Sequence, residues 1–218
     1  MGKFADKIVV ITGGAQDNSL AMAKKFATED AKAVVVLCAT AEEEEATVRE
    51  QGAVAMQCNI ADFKDVTRCF DAIKAQMGFV DILICNPNAA CKKTLLETTA
   101  EEWQQVLGIN VHSMFYCCKQ VFADMKARKT GEVVIFSSDA AMGVAGNAAY
   151  AITKASALGY NGTIARESEK YGITTNTVIP TPGCTPEDVA NTVALLTSEE
   201  GRPLHGQVVR VIKDWTKG

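Results

Sequence analysis

Residues 7–27 read KIVVITGGAQDNSLAMAKKFA, a sequence typical of a strand, a tight turn and a helix in succession. It begins with a β-branched run that predicts a strand and ends with the apolar spacing of an amphipathic helix. Between the two, Gly13 and Gly14 allow a tight turn and a close backbone approach. A strand that leads through such a turn into a helix presents free N–H groups to an anion, and Ser19 would act there as N-cap or phosphate donor.

The same alternation of short β-branched runs and longer amphipathic segments continues along the whole chain. We predict strands over Lys7–Ile11, Ala33–Cys38, Val54–Cys58, Asp81–Cys85, Gly131–Ser137, Thr174–Ile179 and Gln207–Val211. We predict helices over Ser19–Glu29, Glu42–Gln51, Phe63–Met77, Ala100–Ala127, Ala148–Tyr171 and Pro186–Ser198. Strands of continuous Val, Ile and Leu are covered on both faces, which indicates a parallel sheet with crossover helices. The predicted fold class is therefore α/β: a single doubly wound Rossmann domain over residues 1–218, with a seven-stranded, mostly parallel sheet and helices on both faces.

Composition excludes several classes of protein. The 218 residues include 22 basic and 26 acidic side chains, which give a formal net charge of −4. Proteins that bind nucleic acids or anionic membranes, in contrast, need clustered Lys and Arg. The longest apolar runs, such as Ala33–Ala39, fall far short of the ~20 residues that span a bilayer, and the chain opens on no cationic, apolar leader. We expect a cytoplasmic protein that binds neither nucleic acid nor membrane.

The cysteines and histidines argue against a metal site. The eight cysteines lack CxxC spacing and mostly lie inside apolar runs, and the only histidines are His112 and His205. We interpret the cysteines as small buried side chains in a reducing compartment, and we predict no bound metal.

The strongest chemical signal is YAITK, residues 150–154. On a helix, the i, i+4 spacing places Tyr150 and Lys154 on one face, where the ammonium would lower the pKa of the phenol. A phenol with a pKa of about 10 is too weak a base near pH 7 without such a shift. Because YxxxK alone is common in amphipathic helices, its meaning depends on the residues around it.

Those surrounding residues resemble the short-chain dehydrogenase/reductase family, over nearly the whole chain. Ser137 and Ser138 end a predicted strand, Ser138 precedes Tyr150 by twelve residues, and Asn110 stands within GINVHSMF of a predicted helix. The resemblance implies that Ser138 polarises a carbonyl, that Asn110 holds a water of the proton relay, and that Tyr150 is the general acid or base. Lys154 would also bind the nicotinamide ribose. The implied reaction is hydride transfer that interconverts a ketone and a secondary alcohol.

The turn after the first strand departs from the commonest pattern of that family, TGxxxGxG. Asp17 and Ser19 stand where the second and third glycines belong. Ser19, Leu20 and Ala21 instead resemble the Ser-x-Ala of a divergent branch, the enoyl-acyl carrier protein reductases. The resemblance therefore still implies a cofactor turn, in a divergent form.

Further cofactor landmarks follow along the chain. Asn59 and Ile60 resemble the family's Asp-Val pair beside adenine, whereas residues 85–88, CNPN, match its Asn-Asn-Ala-Gly poorly. Residues 180–185 resemble PGxxxT, with Thr181 in place of Gly. The cofactor-binding residues implied by the resemblance are Gly13, Asp17, Ser19, Leu20, Ala39, Asn59, Ile60, Asn86, Pro87, Tyr150, Lys154, Pro180, Thr181 and Thr185.

The choice between NAD and NADP depends on the residues after the second strand. Family members that use NAD place a carboxylate there for the ribose hydroxyls, and those that use NADP place Arg or Lys for the 2′-phosphate. Here residues 37–45 read LCATAEEEE, without a basic side chain and with four glutamates that would repel a phosphate. We expect NAD in preference to NADP, and we interpret Glu42–Glu45 as the solvated first turn of a helix.

A substrate lid is missing from the sequence. Family members carry a few tens of residues between the positions of Thr185 and Pro186, whereas here the next predicted helix begins at once. We expect a truncated lid and an open site. Three functions stay open: a carbonyl reductase or alcohol dehydrogenase, an enoyl-thioester reductase, and a pseudoenzyme that binds dinucleotide without turnover. The Tyr150–Lys154 spacing favours the first, because enoyl reductases place these residues further apart.

The resemblance also implies a partner, namely a second copy of the chain. Relatives pair through two long helices, here Ala100–Ala127 and Ala148–Tyr171, and the Gln207–Val211 strand with Trp215 would add a second interface. We expect a homodimer or homotetramer acting on a small carbonyl or alcohol substrate.

Overall fold

Buried β-branched runs form the strands of this protein. The structure, a computed structural model, describes residues 2–213, so Trp215 and the second interface suggested around it lie outside the described residues. The strands are β1 (Ile8–Thr12), β2 (Ala33–Cys38), β3 (Val54–Gln57), β4 (Ile82–Cys85), β5 (Gly131–Phe136), β6 (Ile173–Pro180) and β7 (Val208–Val211). They form one sheet in the order β3-β2-β1-β4-β5-β6-β7. The predicted α/β fold is confirmed, and the sheet is wholly rather than mostly parallel, since all six strand pairs are parallel.

Helices connect the strands in sequence. They are α1 (Asp17–Thr28), α2 (Ala41–Glu50), α3 (Phe63–Gln76), α4 (Ala100–Leu107), α5 (Ser113–Arg128), α6 (Ala148–Ser168) and α7 (Pro186–Leu196). The helix predicted over Ala100–Ala127 is interrupted by a π-helical turn at Gly108–His112, and the one predicted to Tyr171 ends in a 3₁₀ turn at Glu169–Tyr171. A π turn inserts one residue into the helical repeat, which apolar periodicity does not detect.

The sheet is covered on both faces, as its continuous apolar strands predict. Along β1, Val9 and Ile11 point into one core and Ile8 and Val10 into the other. Side chains of α1 and α7 fill the first core, and side chains of α3, α5 and α6 fill the second. Alternate residues of each central strand are therefore buried against opposite layers of helices.

The strand order reverses direction between β1 and β4. From β1 the chain runs outward through β2 to β3, and it then returns to place β4 on the other side of β1. The loops that leave β1 and β4 therefore diverge and open a crevice at the carboxyl end of the sheet. In sheets of this kind, ligands bind at that crevice.

Seven of the eight cysteines are buried, and Cys184 is half-buried. Most of the buried ones pack within the two sheet cores, which agrees with their interpretation as small apolar side chains. Among residues 2–213, no helix combines the length and the hydropathy needed to cross a membrane.

Candidate active site

A cavity of about 460 Å³ opens at the crevice between the β1 and β4 loops. It reaches from the glycine turn after β1, past the ends of β2 and β3, to the loop after β4. Of the residues predicted to bind a cofactor, the structure brings five together in its wall: Gly13, Ala39, Asn59, Ile60 and Pro87. Among the described residues, no group of three or more His, Cys, Asp or Glu is arranged to hold a metal ion.

The turn after β1 needs glycine for two different reasons. Gly13 has a φ of +108°, and a Cβ on it would overlap the carbonyl oxygen of Asn86 in the β4 loop. Gly14 has a φ of +73° and faces Glu44 across the turn. Since left-handed backbone favours glycine, the two residues let the turn lie directly against its neighbours. A side chain at Gly13 would push the two loops of the crevice apart.

The N-terminus of α1 follows this turn. Within residues 2–213, the side chain at its N-cap position, Gln16, makes no capping hydrogen bond, as is also true of α2 and α6, whereas α3, α4 and α7 are capped by Asp62, Thr99 and Thr185. Gln16 also lines the cavity. The positive end of the α1 dipole is thus available to an anionic group in the cavity.

Ser19 does not face the cavity. It is fully buried, and its Oγ accepts a hydrogen bond from Asn86 Nδ2 at 3.1 Å, while the Asn86 N–H donates to Thr12 Oγ1 at 3.2 Å. Leu20 packs beside the first core, and Asp17 is exposed at the first turn of α1. Ser19 and Asn86 therefore fix the β4 loop against the glycine turn, so they shape the cavity from behind.

The position of Glu44 contradicts one prediction from the sequence. Its carboxylate accepts hydrogen bonds from the backbone N–H of Ala15 and from Thr40 Oγ1, and it lines the cavity beside Gly14. Interpreting the whole run Glu42–Glu45 as a solvated helix face is therefore wrong for this residue. The first turn of α2 aims Glu44 back at the glycine turn, because the exposed donor of Ala15 provides a better partner than water.

Tyr150 and Lys154 lie one helical turn apart on α6, and both meet the β4 loop. The Tyr150 hydroxyl donates to Asn88 Oδ1 at 2.9 Å, and Lys154 Nζ donates to the Pro87 carbonyl oxygen at 2.8 Å. Lys154 Nζ lies 5.3 Å from the centre of the Tyr150 ring. Because Asn88 and Pro87 also line the cavity, these two side chains contact the cavity wall from behind the β4 loop.

The electrostatics of this pair differ from the prediction. Burial raises the pKa of the Tyr150 phenol, and the Ser138 hydroxyl opposes part of that rise. Burial also lowers the pKa of the Lys154 ammonium to about 8. The expectation that Lys154 brings the phenol pKa down is therefore not met, since the loss of hydration outweighs the neighbouring dipoles and charges. At neutral pH Tyr150 is a protonated phenol, a proton donor rather than a base.

Ser138 and Ser137 follow β5. The Ser138 Oγ accepts a hydrogen bond from the Ala140 N–H at 3.2 Å and lies against Tyr150. Ser137 is buried, and its Oγ donates to the Lys154 backbone carbonyl at 2.7 Å. Ser137 thus attaches α6 to the sheet, and Ser138 presents a hydroxyl beside the phenol.

Asn110 lies in the π-helical turn and is 2 % exposed. Its side chain pairs with both backbone groups of Ala89 and donates to Thr153 Oγ1 at 3.0 Å. The π turn directs this side chain into the protein, towards the β4 loop. All three Asn110 hydrogen bonds go to protein groups, so the residue fixes the loop on which Asn88 and Pro87 stand.

The residues predicted after β6 lie apart from the cavity wall. Pro180 ends β6, and Thr181 is buried, with its N–H and Oγ1 both donating to the Val211 carbonyl oxygen. Thr185 is the N-cap of α7 and exchanges hydrogen bonds with Asp188. The connection from β6 to α7 therefore contains only residues 181–185, and both of its threonines are engaged within the fold.

Three residues of the site were not among the catalytic or cofactor-binding residues predicted from the sequence: Glu44, Asn88 and Thr153, of which Asn88 was expected only to contact substrate. Glu44 was hidden in a charged run whose other members are exposed. Asn88 stands in the poorly matching CNPN segment, and that mismatch was the available signal. Thr153, which lies between Tyr150 and Lys154, gave no signal, because a threonine in a helix has many ordinary roles.

Comparison with known proteins identifies the family and agrees with the fold. The model of the family described as short chain dehydrogenase matches residues 7–193. The 3-oxoacyl-(acyl-carrier-protein) reductase FabG of Staphylococcus aureus is 28% identical over 236 aligned positions, which cover 94% of this chain and 96% of the relative. The 3-oxoacyl-(acyl-carrier-protein) reductase MabA of Mycobacterium tuberculosis is 26% identical, covering 95% and 92%. A crystal structure from Burkholderia xenovorans, titled as a short-chain dehydrogenase/reductase, superposes with a TM-score of 0.86 at 24% identity, over 97% of this chain and 96% of that one.

Proposed function

This chain belongs to the short-chain dehydrogenase/reductase family, and from that premise we propose that it reduces a ketone to a secondary alcohol with a nicotinamide dinucleotide. The observation that carries the proposal is the position of Tyr150. Its protonated hydroxyl lies beside Ser138 and Lys154 and donates to Asn88, a residue in the wall of the cavity that the glycine turn also lines. Hydride and proton transfer need a dinucleotide site and a proton donor within one cavity.

The cavity supports binding of a dinucleotide in two respects. A Cβ on Gly13 would fill the cradle after β1, and the N-terminus of α1 behind that turn offers positive potential to a pyrophosphate. The pyrophosphate would be held by Gly13, Gln16 and Asp17, and the adenine would lie beside Asn59 and Ile60. When bound, the reduced nicotinamide supplies the hydride.

Glu44 supports a preference for NAD over NADP. Its carboxylate lies in the cavity wall beside Gly14 and is bound to the Ala15 N–H, with Thr40 Oγ1 on its other oxygen. A negative charge here opposes the 2′-phosphate of NADP and offers an acceptor to a ribose hydroxyl. The carboxylate thus acts as the acidic group that the end of β2 lacks.

The protein groups then have distinct tasks in reduction. Ser138 donates to the substrate carbonyl oxygen, and Tyr150 gives that oxygen its proton. Lys154 is protonated below a pH of about 8 and steadies the phenolate left behind. Asn110 keeps the β4 loop in place through Ala89. Near neutral pH the enzyme is ready for the reductive step, because the phenol is already in the form that donates.

The relatives suggest where to begin with substrates. Several of them are named as 3-oxoacyl-(acyl-carrier-protein) reductases, and we extend that class, a 3-oxoacyl thioester, to this chain as the first candidate. The short connection over residues 181–185 supports a site without a long lid, in which a second copy of the chain supplies further cover. We propose a homodimer or homotetramer on this ground.

The experiment combines cofactor binding with a substrate panel. Binding of NADH and NADPH is measured by fluorescence, and turnover is measured with acetoacetyl-CoA, cyclohexanone and crotonyl-CoA for the wild type, Tyr150→Phe and the control Tyr171→Phe. We expect NADH binding in all three proteins and ketone reduction that only Tyr150→Phe abolishes. Binding without any turnover would identify a pseudoenzyme, turnover of crotonyl-CoA alone would identify an enoyl reductase, and absence of cofactor binding would refute the proposal.

A further inference from the structure

Asn88 gives Tyr150 a hydrogen-bond partner that chemically resembles a substrate. The Tyr150 hydroxyl donates to Asn88 Oδ1 at 2.9 Å, and this acceptor is the carbonyl oxygen of a neutral carboxamide. A ketone oxygen is an acceptor of the same kind. Since a phenol has one proton to donate, Asn88 and a substrate carbonyl cannot both accept it.

The backbone of Asn88 is fixed on both sides. Before it, the Pro87 carbonyl oxygen accepts a hydrogen bond from the buried ammonium of Lys154. After it, both backbone groups of Ala89 are paired with Asn110. The β4 loop therefore cannot swing aside as a unit without breaking buried hydrogen bonds, each of which is costly to lose. Rotation of the Asn88 side chain releases Tyr150 without breaking these hydrogen bonds.

That rotation is open to the side chain. Asn88 is exposed, so its carboxamide exchanges the Tyr150 hydroxyl for water at small net cost. The Tyr150 hydroxyl, in contrast, is half-buried beside Ser138 and has less access to water. The two partners thus form a contact that is present at rest and can be displaced.

We propose that Asn88 is a positioning residue that acts through Tyr150: its carboxamide competes with the substrate carbonyl for the Tyr150 hydroxyl. This inference rests on the proposed function. Every ketone must displace Asn88 to accept that proton, so the contact weakens the binding of each substrate by the same free energy. A simple ketone has few other contacts and is held weakly, whereas an extended substrate such as a 3-oxoacyl thioester offsets the cost with contacts elsewhere.

The first test needs neither cofactor nor turnover. Tyrosine ionisation is followed by ultraviolet absorbance in the wild type, Asn88→Ala, Asn88→Asp and the control Asn191→Ala, with Tyr150→Phe to identify the signal among Tyr116, Tyr160 and Tyr171. An acceptor bound to a neutral phenol raises its pKa, so Asn88→Ala lowers the Tyr150 pKa by about 0.5–1 and Asn88→Asp raises it. Lys154 and Ser138, the other groups that face the phenol, are unchanged in these variants. A Tyr150 titration that Asn88→Ala leaves unmoved overturns the proposal.

The second test measures the KM for cyclohexanone and for acetoacetyl-CoA. Asn88→Ala is expected to lower the KM for cyclohexanone and for acetoacetyl-CoA alike, by about threefold to tenfold, and Asn191→Ala is expected to change neither. A higher KM for both substrates would show that Asn88 assists binding and would overturn the proposal. If the wild type turns over neither substrate, the proposed function fails, and the titration alone decides whether Asn88 holds the Tyr150 proton.

Discussion

The side chain of Asn110 and the backbone of Ala89 form a closed pair. Asn110 Nδ2 donates to the Ala89 carbonyl oxygen, and Asn110 Oδ1 accepts from the Ala89 N–H, both at 2.8 Å. Each group satisfies the other, which is how a backbone segment outside a helix or sheet avoids unpaired polar atoms. Asn110 therefore holds the β4 loop, and the water of a proton relay that the sequence-based hypothesis gives it stays a prediction.

Asn110→Ala removes both bonds and leaves the Ala89 backbone without these partners. We expect the free energy of unfolding to fall by about 1–3 kcal/mol and turnover to fall with it, because Asn88 and Pro87 lose their support. The measurement is urea unfolding beside steady-state kinetics, with the exposed Asn191→Ala as control. A variant that keeps its full stability while losing turnover would favour the relay role instead.

The sequence predicts the sheet well and the site in part, for a physical reason. Burial on both faces of the sheet requires continuous runs of apolar residues, and such runs are visible in the sequence. All seven strands were therefore predicted to within one or two residues. The Tyr150–Lys154 pair follows from helical spacing. The hydrogen-bond partners of Glu44 and Asn88 cannot be predicted from local spacing, because these bonds join residues that are 29 and 62 positions apart in the chain. The π turn at Gly108–His112 was also missed, since one inserted residue leaves the apolar pattern nearly unchanged.

Glu44→Gln is predicted to shift the cofactor preference towards NADP. Removing the negative charge from the cavity wall weakens the repulsion of a 2′-phosphate, while the amide keeps an acceptor for Ala15. We expect NADPH to bind about tenfold more tightly, equivalent to about 1.4 kcal/mol, with little gain for NADH. Fluorescence titration of both cofactors at low salt gives the ratio of dissociation constants.

Glu43→Gln is the matched control for that measurement. Glu43 lies in the same first turn of α2 and is exposed, and its replacement by Gln changes the net charge by the same amount. If the two variants shift the ratio equally, the effect is one of overall charge, and Glu44 has no particular role in cofactor choice.

We expect the ionisation of Lys154 to determine how the rate of reduction depends on pH. Burial lowers the pKa of its ammonium to about 8, so the cation is present below that pH and is lost as the pH rises through it. Tyr150 stays protonated over this range, because its own pKa is raised. We therefore expect kcat/KM for ketone reduction to be level at neutral pH and to fall above about pH 8. The variant Lys154→Arg, whose cation does not titrate below pH 12, should lack this fall; its persistence in that variant would assign the fall to another group.

Glu132 lies far from the cavity, at the start of β5, and makes stability depend on pH. It is 3 % exposed, and within residues 2–213 its Oε2 has no hydrogen-bond partner, while its Oε1 is 3.9 Å from Arg202 Nη1. Burial raises the pKa of this carboxyl to about 7, and nearby Asp81 and Glu199 add to the rise against the opposing charges of Lys7 and Arg202. The folded protein thus holds a proton that the unfolded chain has already released.

Glu132→Gln is therefore expected to stabilise the protein in a pH-dependent way. The native protein loses stability as the pH rises from about 4.5 to about 7, because ionisation is costly only in the folded state, and the loss levels off above that range. The neutral amide does not titrate, so the variant matches the wild type near pH 5 and exceeds it near pH 8 by up to about 3 kcal/mol. Urea unfolding at both pH values measures the difference, in which groups common to both proteins cancel. Glu199→Gln, which alters an exposed partner of the same Arg202, should show almost no such dependence; an equal effect from it would place the titration outside Glu132.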